Sequence, residues 1–203
     1  MVLLMIAAVG LLIWAGVYNL RARRVAMERE RNSHITLTKD GSGGTVPMDA
    51  GGDTSGLGTD LRGKPAPTFA LKSLDGKKVT SADFKGHPMV INFWATYCGP
   101  CKLEMPWFEE FSHKYAGQGL DVLGVDDEDG VSNDDVRSAA KKVGVTYPIV
   151  LADRKTESAW GLGDYLPVTF YVDAQGIVRE QTAGAPSKET VEANIQKILT
   201  AAK

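Results

Sequence analysis

The run Val90-Ile91-Asn92-Phe93-Trp94-Ala95-Thr96-Tyr97-Cys98-Gly99-Pro100-Cys101-Lys102-Leu103-Glu104-Met105-Pro106 changes its hydrophobic period partway along, and the rest of the chain is arranged around that change. Met89 to Trp94 is nearly continuous in apolar side chains, as a strand covered on both faces would be. Beyond it Met105, Phe108 and Phe111 recur at helical spacing, which predicts a helix over Pro100 to Tyr115 with a kink at Pro106. Cys98 therefore falls where a strand turns into a helix. A helix N-terminus presents unpaired N–H groups and about half a positive charge. Both stabilise a thiolate, which is the nucleophilic form of cysteine. Pro100 fits the first turn, where its missing N–H costs nothing. Cys101 lies one turn further in, close enough to attack a mixed disulfide formed on Cys98. The spacing places an attacking thiol and a resolving thiol on one rigid element.

These two cysteines are the only ones in the 203-residue chain. A bridge across so short a loop removes little unfolded-chain entropy, so stapling does not account for the pair. A disulfide-held secreted scaffold would carry several dispersed cysteines. Hydrophobic residues at 43% and charged residues at 24% describe a globular protein with a real core. A net charge of −2 gives no field that would favour nucleic acid, and no such partner is expected. Zinc needs about four ligands, and the pair has no second pair beside it, only His34, His87 and His113 elsewhere. No metal and no cofactor beyond the redox-active Cys98–Cys101 pair is expected, although a zinc site shared between subunits stays an alternative. A thiol peroxidase would carry a solitary cysteine with threonine three positions before it, where this chain has Ala95. A copper-delivering module would have wider cysteine spacing and a distant histidine, and no histidine follows His113. A redoxin-type peroxidase and a non-catalytic partner-binding or metal-binding module are the competing classes.

Three regions follow. Val2 to Leu20 is apolar without a charge, and at ~1.5 Å per residue it spans roughly 28 Å, the thickness of a bilayer core. The following Arg21-Ala22-Arg23-Arg24 is a poor cleavage site for a signal peptide, so residues 1–20 read as an uncleaved membrane anchor. Residues 21–62 form an arginine-rich juxtamembrane stretch and, from Ile35, a Gly/Ser/Thr/Asp-rich flexible tether. Residues 63–203 form the folded domain. Thr68 to Leu71 and Lys78 to Thr80 flank Asp75-Gly76, a hairpin signal, as do Val168 to Val172 and Ile177 to Glu180 around Asp173 to Gly176. Further strands are predicted at Leu120 to Val125 and Tyr147 to Leu151. Helices are predicted from an Asn133 or Asp134 cap to Val143, at Glu157 to Trp160, and from Ser187 with Val191, Ile195, Ile198 and Leu199 inward. The order β-β-β-α-β-α-β-α-β-β-α implies an α/β fold with a mixed sheet and helices on both faces. Trp94 reads as core, and Asp126-Asp127-Glu128-Asp129 as a solvated loop after a strand; Val125 and Val136 stand where an EF-hand needs ligands.

The run around the dithiol, together with Leu166-Pro167-Val168-Thr169-Phe170-Tyr171-Val172-Asp173-Ala174-Gln175-Gly176, resembles the membrane-anchored thiol–disulfide oxidoreductases of the TlpA/ResA type over about Gly63 to Leu199. The resemblance implies a thioredoxin-like fold with an N-terminal β-hairpin and a central αβ insertion, preceded by one transmembrane helix. It implies a domain outside the cytoplasm that reduces disulfides of proteins, apocytochrome c among them, and draws electrons from a membrane thiol–disulfide donor. The arginines at 21, 23, 24, 29 and 31 follow the span and by themselves favour the opposite orientation. By position, the resemblance makes Cys98 the exposed nucleophile, Cys101 the resolving thiol and Pro167 a cis-proline beside them. Leu166 would offer its backbone to an incoming chain, next to Gly99 and Pro100. Glu104, three residues after Cys101, would shuttle a proton to or from that thiol or raise its pKa, unless it is merely a solvated helix carboxylate. Tyr97 replaces the family's usual tryptophan as an aromatic shelf, and Asn92 stands where cytoplasmic thioredoxins place an aspartate. Cys101→Ala is expected to accumulate protein adducts through Cys98, seen as reducible bands on non-reducing gels; their absence would exclude exchange through this pair.

Overall fold

The computed structural model describes residues 58–201 except Asp164, so the expected anchor and most of the tether lie outside the described residues. The elements are Ala70–Ser73 (β1), Lys78–Thr80 (β2), Met89–Trp94 (β3), Gly99–Lys114 (α1), Asp121–Asp126 (β4), Asn133–Lys142 (α2), Ile149–Leu151 (β5), Arg154–Trp160 (α3), Val168–Val172 (β6), Val178–Ala183 (β7) and Lys188–Thr200 (α4). Their order is the one expected. All seven strands join one sheet in the order β2-β1-β5-β4-β3-β6-β7. Among the described residues no helix is long and apolar enough to cross a membrane.

The central strand β3 is buried at every position, which explains its unbroken apolar run. Its side chains alternate between two cores. Val90 and Trp94 face Met105, Phe108 and Phe111 of α1, Val136 and Ala140 of α2, and Val191, Ile195 and Ile198 of α4. Met89, Ile91 and Phe93 face the other core, with Val125, Val150, Phe170, Val178 and Trp160. There the Trp160 ring lies 4.8 Å from Phe170 and 6.0 Å from Phe93, in the tilted and edge-on arrangements that aromatic quadrupoles favour.

Helix starts follow side-chain caps. Ser187 accepts from Thr190 N, as expected, and Asp153 caps α3 by accepting from Thr156 N. The cap of α2 is Ser132, whose Oγ accepts from Asp135 N at 3.2 Å, one residue before the first expected cap; Asn133 is already helical. Pro106 is carried within an unbroken α1.

The folded unit begins before Gly63. Gly58 N donates to Gly161 O, and the Gln181 amide both accepts from Leu61 N at 2.8 Å and donates to Thr59 O at 3.3 Å. Leu61 is buried in the second core. Gly63 N and Val178 N then continue the ladder along the free edge of β7. Gly161 permits this docking: its φ is +61°, and a Cβ there would come within 2.4 Å of Thr59 Cβ. The last residues of the expected tether thus cover an edge strand. Nothing in a Gly/Thr/Asp composition announces it, because the partners, Gly161, Val178 and Gln181, are all distant in sequence. Removing the aromatic keystone of the second core, Trp160→Ala, is expected to cost about 3–5 kcal/mol by denaturant unfolding.

Candidate active site

β3 and β4 run parallel, and β6 runs antiparallel to β3, with Phe93 opposite Val168. The C-terminal ends of β3 and β4 and the beginning of β6 therefore meet at one end of the sheet. This brings together the Ala95–Cys98 turn, the acidic segment after β4, and Leu166-Pro167, all far apart in sequence. The Leu166–Pro167 bond is cis, as the resemblance implies, and Pro167 O accepts from Gly184 N at 2.8 Å. Leu166 is partly buried against both cores.

Cys98 is the N-cap of α1, with Gly99 and Pro100 in its first turn. Its Sγ accepts from Cys101 N at 3.2 Å, so the sulfur occupies the place of a capping oxygen. An N–H donor held on this sulfur is the local cause of thiolate stabilisation. The two cysteines are joined as a disulfide with Cα atoms 5.4 Å apart. Cys98 retains 6% exposure and Cys101 none. Cys98 is the more accessible of the two, but at the N-cap of α1 it is less open than the word exposed implies.

Tyr97, Leu103 and Tyr165 are the exposed large apolar side chains among the described residues, at 71%, 64% and 58%. Tyr97 precedes the nucleophile and Tyr165 precedes Leu166-Pro167, so the chemistry is rimmed by apolar surface fit to meet another chain. Leu103 and Tyr165 escaped the sequence reading, since only their exposure marks them.

Glu104 is not a solvated helix carboxylate. It is fully buried on the inner face of α1, where Oε1 accepts from Asn92 Nδ2 at 2.7 Å. The second proton of that amide goes to Thr169 Oγ1, on the strand opposite, at 2.9 Å. Burial pushes the Glu104 carboxyl up to about 8, against the pull of the Asn92 hydrogen bond. Oε1 is committed to accepting, which leaves Oε2, unpaired among the described residues, to carry the proton. Desolvation, and after it the nearby Glu104 carboxyl, pushes the pKa values of the buried Tyr147 and Tyr171 phenols up. Tyr147 reaches this layer because Glu109 of α1 accepts from Thr146 N at 2.8 Å and Tyr147 N at 3.3 Å, while Gly124 beneath leaves room for its ring. Neither Glu109 nor Tyr147 is marked by a motif.

Of the acidic run only Asp129 is exposed as a solvated loop would be. Asp126 ends β4 and is 2% exposed; burial, then the charges of Glu128 and Asp127, push it up to about 7. Burial, with Glu157 and Asp129 nearby, raises Asp127 to about 6. Glu128 turns back to the nucleophile's turn and accepts from Thr96.

This arrangement performs dithiol exchange. The Cys98 thiolate attacks a substrate disulfide, forming a mixed disulfide and releasing one substrate thiolate. Cys101 gives up its proton; the buried Glu104 carboxyl lies three residues further along the same helix. The Cys101 thiolate then attacks the Cys98 sulfur and releases the second substrate thiolate. Two electrons leave the dithiol, and the Cys98–Cys101 disulfide seen here is the product state.

Known proteins agree with this chemistry. The family model described as Redoxin matches residues 61–199. The thiol-disulfide oxidoreductase ResA of Bacillus anthracis is 36% identical over 138 residues, 67% of this chain and 78% of that protein. The thioredoxin-like protein YneN of Bacillus subtilis is 33% identical over 131 residues, 64% of this chain and 76% of that protein. Among solved structures, a thiol:disulfide interchange protein of the thioredoxin family from Chlorobium tepidum has a TM-score of 0.61 and 29% identity, covering 70% of this chain and 99% of that one.

The Glu104 carboxyl also leaves a mark on stability. The folded protein holds its proton up to about pH 8, whereas the ordinary glutamate value is 4.5. Stability from this group is therefore full below about pH 4.5 and is lost as pH rises to about 8, at no more than roughly 1.4 kcal/mol per pH unit. Asp126 and Asp127 add slopes of the same sign. Urea unfolding across this range should show a shallower fall for Glu104→Gln than for the unaltered protein.

Proposed function

Since the chain belongs to the redoxin family, with the ResA-type thiol–disulfide oxidoreductases among its relatives, we propose that it reduces disulfides of proteins outside the cytoplasm while anchored by Val2 to Leu20. The observation that carries this reading is the buried Glu104 held by Asn92 on the dithiol helix, one turn beyond Cys101. A carboxyl that gains and loses its proton near neutral pH suits the step that turns Cys101 into an attacking thiolate, and this step completes reduction of a substrate. Gly99-Pro100 between the cysteines, the dipeptide of reducing thioredoxins, supports the same direction. The reduction potential follows how far the site stabilises the thiolate.

Substrates are proteins that present a disulfide in an accessible segment, apocytochrome c being one whose paired cysteines must be free before haem is attached. Such a segment would lie across Cys98 and the Leu166-Pro167 backbone, with Tyr97, Leu103 and Tyr165 covering its apolar side chains. Each turnover leaves the Cys98–Cys101 disulfide, so a thiol–disulfide donor in the membrane must return two electrons. The uncharged span from Val2 to Leu20 supports anchoring beside that donor.

A membrane-impermeant maleimide added to intact cells is expected to label Cys98 after mild reduction, without permeabilisation. Labelling that requires permeabilisation would place the domain on the cytoplasmic side and overturn the assignment.

A further inference from the structure

Between the last residue of β3 and the nucleophile lie only Ala95, Thr96 and Tyr97. This connection has few ways to hold itself. Cys98 N donates to Ala95 O at 3.1 Å, and Trp94 O is taken by Asp127 N at 2.8 Å, the final rung of the β3–β4 ladder. Thr96 belongs to neither the strand nor the helix, so its polar groups need a partner from elsewhere. That partner is Glu128, from 32 positions along the chain: one oxygen, Oε2, accepts from Thr96 N at 2.9 Å and from Thr96 Oγ1 at 2.6 Å. Backbone and side chain of a single residue are thereby fixed at once by a carboxylate, the stronger kind of acceptor.

We propose that Glu128 is a positioning residue for the nucleophile: by gripping Thr96 it holds the Ala95–Cys98 turn so that the Cys98 sulfur stays on the helix N-terminus, in line for attack by Cys101. The proposal rests on exchange through the dithiol and not on where or on what the protein acts. It gives a role to an acidic run that otherwise reads as a solvated loop. The run's own geometry favours it, because Asp126 is locked in β4 by the ladder and by Ala152 N, which donates to its backbone oxygen at 2.8 Å. Glu128 thus hangs from a rigid strand end two residues away, and the turn inherits that rigidity.

Holding and charge are separable. The carboxylate also places negative charge near the turn, which disfavours a thiolate on Cys98. The other charged groups around this end are Lys102 and Glu104 on α1, Asp126, Asp127 and Asp129 in the same segment, and Glu157 and Arg154 on α3, the latter 3.8 Å from Asp129. Glutamine at 128 keeps an oxygen for Thr96 and removes the charge. Alanine removes both.

The test follows the reduced full-length protein mixed with hydroxyethyl disulfide, a neutral probe, in a stopped-flow instrument by tryptophan fluorescence. At saturating probe the rate reaches a plateau set by Cys101 displacing the probe thiol from Cys98. Glu128→Ala is expected to lower that plateau on the order of tenfold, the scale of effect that misplacing a reacting group produces. Glu128→Gln should stay within about twofold of the unaltered plateau and move the pH midpoint of Cys98 attack downward. Thr96→Val should slow closure less than Glu128→Ala, and the double variant should be no slower than Glu128→Ala alone, as groups acting through one contact are not additive. Thermal unfolding of each variant separates loss of fold from loss of position. An unchanged plateau in Glu128→Ala, a Glu128→Gln as slow as Glu128→Ala, or losses that multiply in the double variant would each overturn the proposal.

Discussion

The hydrogen bond from Asn92 to Glu104 joins the dithiol helix to the central strand across an interface otherwise built from Val90, Trp94, Met105 and Phe108. A polar contact in such surroundings has no water to fall back on, so each partner depends on the other. Asn92 spends its second proton on Thr169, which ties the same contact to β6. Three elements are thereby held in one register: α1, which starts at Cys98; β3, which leads into it; and β6, which begins after Pro167. The same burial that raises the Glu104 carboxyl leaves Asn92 as its hydrogen-bond partner, and that contact helps fix where the sulfur atoms sit.

Strand direction does the rest of the assembly. Parallel β3 and β4 deliver their C-terminal ends to the edge of the sheet where antiparallel β6 begins. The turn with Cys98, the segment with Glu128 and the cis Leu166–Pro167 bond are delivered together by a scaffold that needs no motion to place them. Exposed Tyr97 and Tyr165 each adjoin one of these pieces. The apolar rim is then a consequence of topology, since both tyrosines stand immediately before a residue of the site.

Much of this was legible in the chain. Met89 to Trp94 reads as a doubly covered strand because every side chain there is apolar or, at Asn92, small enough to share a hydrogen bond inside. Cys98 reads as a helix start because Pro100 belongs in a first turn. Errors came where backbone geometry or a remote partner decides. Asn133 looks as good a cap as Ser132, and only backbone geometry chooses between them. Leu61 sits in a polar, glycine-rich stretch, yet Gln181 and the edge of β7 draw it into the core. The acidic run looks like a charged loop, because composition does not show that Asp126 is still a strand residue or that Glu128 has Thr96 to bind.

The amino-acid sequence by itself determined the chemistry, the order of elements and the two reacting atoms. Those follow from local spacing: two thiols one helical turn apart, a proline in the first turn, and hydrophobic periods that switch between strand and helix. Only the tertiary structure decided which carboxylates matter and in what way. Glu104, Asp126 and Glu128 are the same functional group in the sequence. They differ because one is sealed beneath the dithiol helix, one is locked in a strand end, and one reaches across to the turn that carries Cys98. Burial and hydrogen-bond partners set the behaviour of a carboxyl group, and both are properties of the folded chain.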